Sequence, residues 1–82
     1  MNENEINVTL TSVFQRVFQE DSLVLTREMT AQDVAKWDSL SHIAMITDVE
    51  ETFALKLTLR EVMRLKNVGD LIDLIRKKKP SP

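Results

Sequence analysis

Apolar residues recur along much of this chain at intervals of three and four positions, a spacing that places them on one face of a helix. Near the N-terminus this stripe extends from about residue 4 to residue 19 and comprises Ile6, Leu10, Val13, Phe14 and Val17. Near the C-terminus the same period returns in Val68, Leu71, Ile72 and Ile75. No stretch alternates cleanly between apolar and polar residues, and no hairpin turn pair occurs. The pattern predicts an all-α fold.

Two further segments carry residues that typically begin helices. Thr58-Leu59-Arg60-Glu61 has the spacing of a capping box and predicts a short helix. Asn67, with Asp70 three residues on, predicts the start of the last helix. Roughly twenty residues between the first helix and residue 38 show no sustained period, and loops of that length are usually functional or disordered. We therefore predict three longer helices, one short helix and a long first loop.

The composition limits the domain count and the kinds of site. A chain of 82 residues has room for one domain, which we place at residues 1–79, with residues 80–82 as a disordered tail. The absence of cysteine excludes disulfides, thiolate metal sites and a cysteine nucleophile, and it fits a reducing compartment. With one histidine, no metal site is predicted. The acidic start is unlike a signal peptide and no apolar run approaches about 20 residues, so we predict a cytoplasmic protein.

Charge is distributed unevenly along the chain. Residues 1–53 contain ten acids and three bases, a net of −7, whereas residues 54–82 contain three acids and eight bases, a net of +5. The terminal run Arg76-Lys77-Lys78-Lys79 is open to two interpretations. It could bind nucleic acid or an anionic membrane, or it could be a solvated helix end where cations meet the negative end of the dipole. The acidic remainder would repel phosphate, so we expect neither nucleic-acid binding nor stable membrane association.

The segment from residue 39 to residue 53 has two apolar faces when it is drawn as a helix. One face comprises Met45, Ile46, Val49 and Phe53, and we expect it to face the core. The opposite face, with its neighbouring carboxylates, comprises Leu40, Ile43, Ala44, Thr47, Asp48, Glu50 and Glu51. Scattered exposed apolar residues are ordinary, but an apolar strip beside an acidic edge is also what a docking helix presents to a partner. We interpret these seven residues as a docking surface.

Asp38-Ser39-Leu40 stands at the start of this helix, where composition alone indicates an ordinary helix cap. From about Ile6 to Ile75, however, the sequence resembles the acyl carrier protein family, whose attachment motif is Asp-Ser-Leu at the start of the second helix. Trp37 before the motif is common in specialised members. Glu50-Glu51-Thr52-Phe53 resembles the family's acidic turn, and Asn67-Val68-Gly69-Asp70 resembles the opening of its last helix.

The resemblance implies a four-helix bundle that carries a covalent cofactor. Ser39 would receive 4'-phosphopantetheine from coenzyme A through a phosphopantetheinyl transferase, with Asp38 and Leu40 as the flanking motif residues. The arm would hold acyl groups as thioesters for acyl-loading, acyl-transfer or ketosynthase-type enzymes of fatty-acid, lipid or polyketide-type biosynthesis. The protein would be a monomeric carrier and a substrate of these enzymes, with no catalytic residue of its own.

The family also stores acyl chains in a crevice between its second and third helices. The matching positions are Ile46, Val49, Phe53, Leu57, Val62, Met63, Leu65 and Leu71. Val62 and Leu71 stand where smaller residues are frequent, and each added methylene fills space in a packed core. The resemblance therefore implies a shallow crevice suited to short or polar cargo.

Two departures from the family pattern affect the choice of partner enzymes and of cargo. Ser41 and Ala44 occupy positions that are often acidic in fatty-acid carriers, so we expect dedicated enzymes of a specialised pathway. His42 could contact the arm or its cargo, or it could be a partly buried surface histidine. Two alternatives remain open, an aminoacyl, peptidyl or D-alanyl-type carrier and a helical interaction module without a prosthetic group.

Overall fold

The computed structural model describes residues 2–34 and 36–79, and this part of the chain contains four α-helices. In chain order they are α1 (Glu3–Phe18), α2 (Ser39–Phe53), α3 (Leu59–Met63) and α4 (Val68–Lys78). The predicted all-α fold of three longer helices and one short one is confirmed. The predicted tail at residues 80–82 lies outside the described residues. None of the described helices is both long and apolar enough to cross a membrane.

Side-chain caps explain where the helices begin. Thr58 and Glu61 close the predicted capping box at α3, and Asn67 caps α4 by accepting a hydrogen bond from the Asp70 backbone N–H at 2.8 Å. The apolar stripe predicted the first helix from about residue 4, close to its observed start at Glu3, but the cap of α1, where Asn2 and Glu5 form a reciprocal capping box, was not predicted. Its Asn-x-x-Glu spacing is a readable signal for that boundary.

The core is formed by α1, α2, α4 and two residues of the first loop. Its buried side chains are Ile6, Leu10, Val13, Phe14, Phe18, Leu25, Val34, Met45, Val49, Phe53, Val68, Leu71, Ile72 and Ile75. The short helix α3 contributes no buried residue. The predicted choice of face for α2 is confirmed, because Met45, Val49 and Phe53 are buried.

The first loop is attached to the start of α4 by backbone hydrogen bonds. The Val68 N–H donates to the Met29 carbonyl and the Gly69 N–H donates to the Arg27 carbonyl, each at 2.9 Å. The Arg27 guanidinium also pairs with Asp73, on α4, at 2.8 Å. These contacts hold the loop against the bundle, so that its far end delivers residues 36–38 to the start of α2.

Candidate functional site

Ser39 is the first residue of α2 and its side chain is exposed. The N-cap, Asp38, accepts a hydrogen bond from the Ser41 N–H at 2.9 Å, and the Ser41 hydroxyl accepts one from the Asp38 N–H at 2.7 Å. Hydrogen bonds from the Ser41 backbone and side chain lower the pKa of the Asp38 carboxyl, which is therefore ionised near neutral pH. The Ser39 hydroxyl has no hydrogen-bond partner in residues 2–34 and 36–79. The fold thus engages Asp38 and Ser41 in the cap and leaves the Ser39 hydroxyl accessible.

The chemical environment of Ser39 suits a substrate better than a nucleophile with its own base. An activated serine requires a general base within hydrogen-bond reach, and the nearest imidazole, that of His42, accepts at Nδ1 from the Trp37 Nε1–H at 3.1 Å. The N-terminus of α2 carries the positive end of the helix dipole and therefore favours a phosphate group attached there. The site can hold an anion on Ser39, whereas the activation must come from another protein.

Lys36, two residues before the N-cap, has a left-handed backbone conformation that turns the chain into this site. Lys36 has φ 72°, an unfavourable conformation for a residue with a side chain. Its carbonyl accepts hydrogen bonds from the Ser41 hydroxyl at 2.7 Å and from the Asp38 N–H at 3.1 Å. Ser41 therefore stabilises both the turn and the cap, a role that sequence analysis missed although Asp-x-x-Ser has the spacing of a capping box.

Trp37 fixes the position of His42. The indole packs edge-on against Phe14, with ring centroids 5.3 Å apart, and tilted against Phe18 at 5.6 Å. The indole also lies nearly parallel to the His42 ring, to which it donates its hydrogen bond, with ring centroids 6.0 Å apart and 19° between planes. Aromatic pairs in such geometries add to the stabilisation from burial. Both rings are half-buried, and His42 is held between its helix and an indole anchored on α1.

An open groove of about 640 Å³ begins at Ser39 and extends towards α3. A smaller pocket of about 90 Å³ lies behind it, and the two share Ala31, Trp37, His42 and Leu65 as lining residues. Of the predicted crevice residues, Val62, Met63 and Leu65 line the groove, whereas Leu65 and Leu71 line the small pocket. The other four line neither space. Val49 and Phe53 are core residues, and Ile46 and Leu57 are half-buried against that core.

The apolar part of the predicted docking face of α2 is exposed. Leu40 and Ile43 are 80% and 63% exposed, and Ala44 and Thr47 are exposed beside them. Leu59, which was not predicted as part of this surface, is 75% exposed and lines the groove together with Met63, which is 76% exposed. Apolar surface therefore borders Ser39 on both α2 and α3.

Two of the three predicted docking carboxylates are engaged inside the protein. Asp48 accepts from Arg16 Nη2 at 2.8 Å and from Arg16 Nε at 3.0 Å, and this pair lowers the pKa of Asp48. Glu50 accepts from the Leu57 backbone N–H at 2.9 Å. Glu51 is exposed and, within the described residues, has no such partner. The accessible negative charge of this face is thus smaller than a count of its acids suggests.

Comparison with known proteins gives results that agree with this geometry. A family model described as a phosphopantetheine attachment site matches residues 8–75. Among solved structures, the chain is similar to the solution NMR structure of a holo acyl carrier protein from Geobacter metallireducens, with a TM-score of 0.83 and 50% sequence identity. That match covers 88% of this chain and 83% of the other. A search among curated proteins finds no match.

Proposed function

This chain belongs to the acyl carrier family of proteins with a phosphopantetheine attachment site, and on that premise we propose that Ser39 is its attachment residue. The observation that carries the proposal is the accessible, unengaged Ser39 hydroxyl at the N-terminus of α2, beside an open groove. Ser41, two residues on, is a poor candidate because its hydroxyl is engaged by Lys36 and Asp38. The protein is a carrier and not an enzyme, and the proposed carrier domain spans residues 1–79.

The residues present fit a phosphopantetheine arm derived from coenzyme A. Ser39 supplies the oxygen for the phosphodiester, and the N-terminus of α2 favours the negative charge that this ester retains. Asp38 and Leu40 complete the motif, with Asp38 holding the helix start in the conformation that exposes Ser39. When bound, the group supplies a thiol on a long flexible arm, which holds an acyl cargo as a thioester.

The proposed docking surface for partner enzymes is the exposed face of α2. Leu40, Ile43, Ala44 and Thr47 supply its apolar contacts, with Glu51 as its most accessible carboxylate. Small complementary surfaces of this kind favour rapid exchange between partners. The proposed partners are a phosphopantetheinyl transferase and enzymes that load, elongate or transfer acyl groups, each meeting a monomeric carrier.

We propose a specialised pathway, of fatty-acid, lipid or polyketide type, in the cytoplasm. Support comes from Ser41 and Ala44 at positions where acids would strengthen docking, and from the engagement of Asp48 and Glu50 within the protein. The lack of cysteine fits a reducing compartment. Equal turnover of this carrier and a standard fatty-acid carrier by a general ketosynthase would contradict the specialised assignment.

The proposed cargo is short or polar. The pocket behind the groove has room for only about 90 Å³, and its walls include the buried core side chains of Met45, Val68 and Leu71. A long acyl chain would have to displace packed side chains, which costs free energy. NMR shift changes throughout the core on loading a long acyl chain would refute this proposal.

Intact-mass measurement tests the attachment residue. The wild-type chain, incubated with coenzyme A and a broad-specificity transferase, should gain the mass of one phosphopantetheine group. Ser39→Ala should remain unmodified, whereas the matched control Ser41→Ala should still be modified. Modification of Ser39→Ala to the wild-type extent would place the attachment elsewhere, and an unmodified wild-type chain would favour an interaction module without a prosthetic group.

A further inference from the structure

The contact between Trp37 and His42 determines which nitrogen of the imidazole carries a proton. An indole N–H can only donate, so the Trp37 Nε1–H at 3.1 Å requires a lone pair on His42 Nδ1. The neutral imidazole must then carry its proton on Nε2. Burial lowers the pKa of His42, which favours this neutral form at pH 7. His42 is therefore held as a hydrogen-bond donor through Nε2.

The Nε2–H of His42 is unpaired within the part of the chain that the structure describes. No group in residues 2–34 and 36–79 accepts a hydrogen bond from Nε2. His42 lines both the groove and the small pocket, and it follows Ser39 by three residues. Side chains at that spacing are neighbours on the same face of a helix. A group attached to Ser39 that turns into the groove would thus pass close to the imidazole.

The groove offers few other donors to such a group. Its walls are mainly apolar side chains, among them Ile43, Leu59, Val62 and Met63. The Asp38 carboxylate is an acceptor and is already engaged in the helix cap. The hydrogen bond from Trp37 limits rotation of the His42 ring, so its Nε2–H is oriented before any ligand arrives. An apolar groove with one oriented donor fits a flexible chain that carries a carbonyl acceptor.

We propose that the His42 Nε2–H donates a hydrogen bond to a carbonyl oxygen of the loaded arm, and that His42 is a positioning residue for the arm in the groove. The inference rests on the proposed attachment at Ser39. The carbonyl has two sources, the amides of the arm itself and the thioester of its cargo. Trp37 acts through His42 by selecting the tautomer that donates.

NMR of the imidazole nitrogens tests the proposal directly, because His42 is the only histidine in the chain. Spectra of ¹⁵N-labelled apo, holo and acetylated holo protein should show a shift of the Nε2 resonance and slower solvent exchange of its proton. A change on forming the holo protein places the acceptor on the arm itself, and a change only on acetylation identifies the thioester carbonyl. An unchanged Nε2 signal in both forms overturns the proposal. Intact mass is measured first, so that a missing attachment is recognised as failure of the proposed function.

Variants separate hydrogen bonding from packing. His42→Leu keeps an apolar side chain but removes the donor, whereas His42→Gln keeps an N–H donor. Loss of one hydrogen bond should reduce the ratio of groove-bound to solvent-exposed arm by about two- to tenfold. The changes in NMR chemical shift at Val62 and Met63 between the apo and holo forms should become smaller in His42→Leu and should persist in His42→Gln. The unfolding free energies of both variants are measured, so that a loss of stability is not mistaken for a loss of the hydrogen bond. Undiminished shift changes in His42→Leu would overturn the proposal.

A second variant covers the case in which His42→Leu does not fold. Trp37→Phe retains a ring against Phe14 and Phe18 but removes the donor to His42 Nδ1. The imidazole can then carry its proton on either nitrogen, and the groove shift changes should decrease while Ser39 is still modified. If His42 in this variant still carried its proton only on Nε2, and the chemical-shift changes in the groove were the same as in the wild type, the role assigned to Trp37 would be contradicted.

Discussion

Replacing Gly69 by alanine tests how tightly the first loop is held against α4. A Cβ added at this position would lie 3.1 Å from the Arg27 carbonyl oxygen, 3.2 Å from the Arg27 Cβ and 3.3 Å from its Nε. The guanidinium end can move, but the carbonyl oxygen cannot move away freely, because it accepts the Gly69 N–H at 2.9 Å. Any retreat of the loop would lengthen that hydrogen bond and the adjacent one between Val68 and Met29.

Two opposing effects set the expected magnitude. Alanine is a better helix former than glycine by about 1 kcal/mol. Overpacking a rigid contact costs about 1–3 kcal/mol. The Gly69→Ala variant should therefore lose about 1 kcal/mol of unfolding free energy, which corresponds to a Tm lower by about 4–8 °C in a domain of this size. Urea titration followed by circular dichroism measures the loss, and Trp37 fluorescence reports on the loop.

Arg27→Ala provides the control for this reasoning. It removes the mobile side-chain end and its ion pairs with Glu3 and Asp73, but it keeps the Cβ and the carbonyl oxygen. The cost of Gly69→Ala should therefore be similar in wild-type and Arg27→Ala backgrounds. A Gly69→Ala protein as stable as the wild type would refute the argument, as would a cost that disappears in the Arg27→Ala background.

Two further predictions concern the core and the pH dependence. Val49→Ala removes fully buried methyl groups and should lower the unfolding free energy, measured by denaturant titration, by about 1.5–3 kcal/mol. Thr47→Ala, on the exposed face, should change it by less than about 0.5 kcal/mol. Equal losses in the two variants would contradict the assignment of the two faces of α2. Because burial lowers the pKa of His42 below its usual 6.5, its contribution to stability is present above that pH and is lost as pH falls through the folded-state value. In His42→Gln the unfolding free energy should therefore depend less on pH in this range. Glu61, whose pKa is lowered from 4.5 to about 2, makes the unfolding free energy depend on pH only at lower pH. The same pH dependence in His42→Gln as in the wild type would contradict the role assigned to His42.

The local pattern of the sequence determined the helices and their buried faces. Three- and four-residue periodicity identified the buried stripes of α1 and α4 and separated the core face of α2 from its exposed face. The caps at Thr58 and Asn67 were predictable because a capping side chain bonds to a backbone N–H three residues away. The Asp-Ser-Leu motif located Ser39 at a helix start for the same local reason.

The tertiary structure decided which of the predicted site residues remain accessible. Asp48 counts as a docking carboxylate by pattern, but Arg16, 32 residues earlier, pairs with it across the α1–α2 contact. Val49 and Phe53, which were predicted both to face the core and to line the acyl crevice, are buried in the core, whereas the open groove at Ser39 is lined by other residues, among them Val62 and Met63 of α3.

The orientation of His42 depends on the path of the first loop, which returns Trp37 to the aromatic side chains of α1. Helix periods and caps arise from bonds between residues three or four positions apart, so they can be read from the sequence. The angles and gaps between helices arise from packing among residues distant in the chain, and no local spacing encodes them.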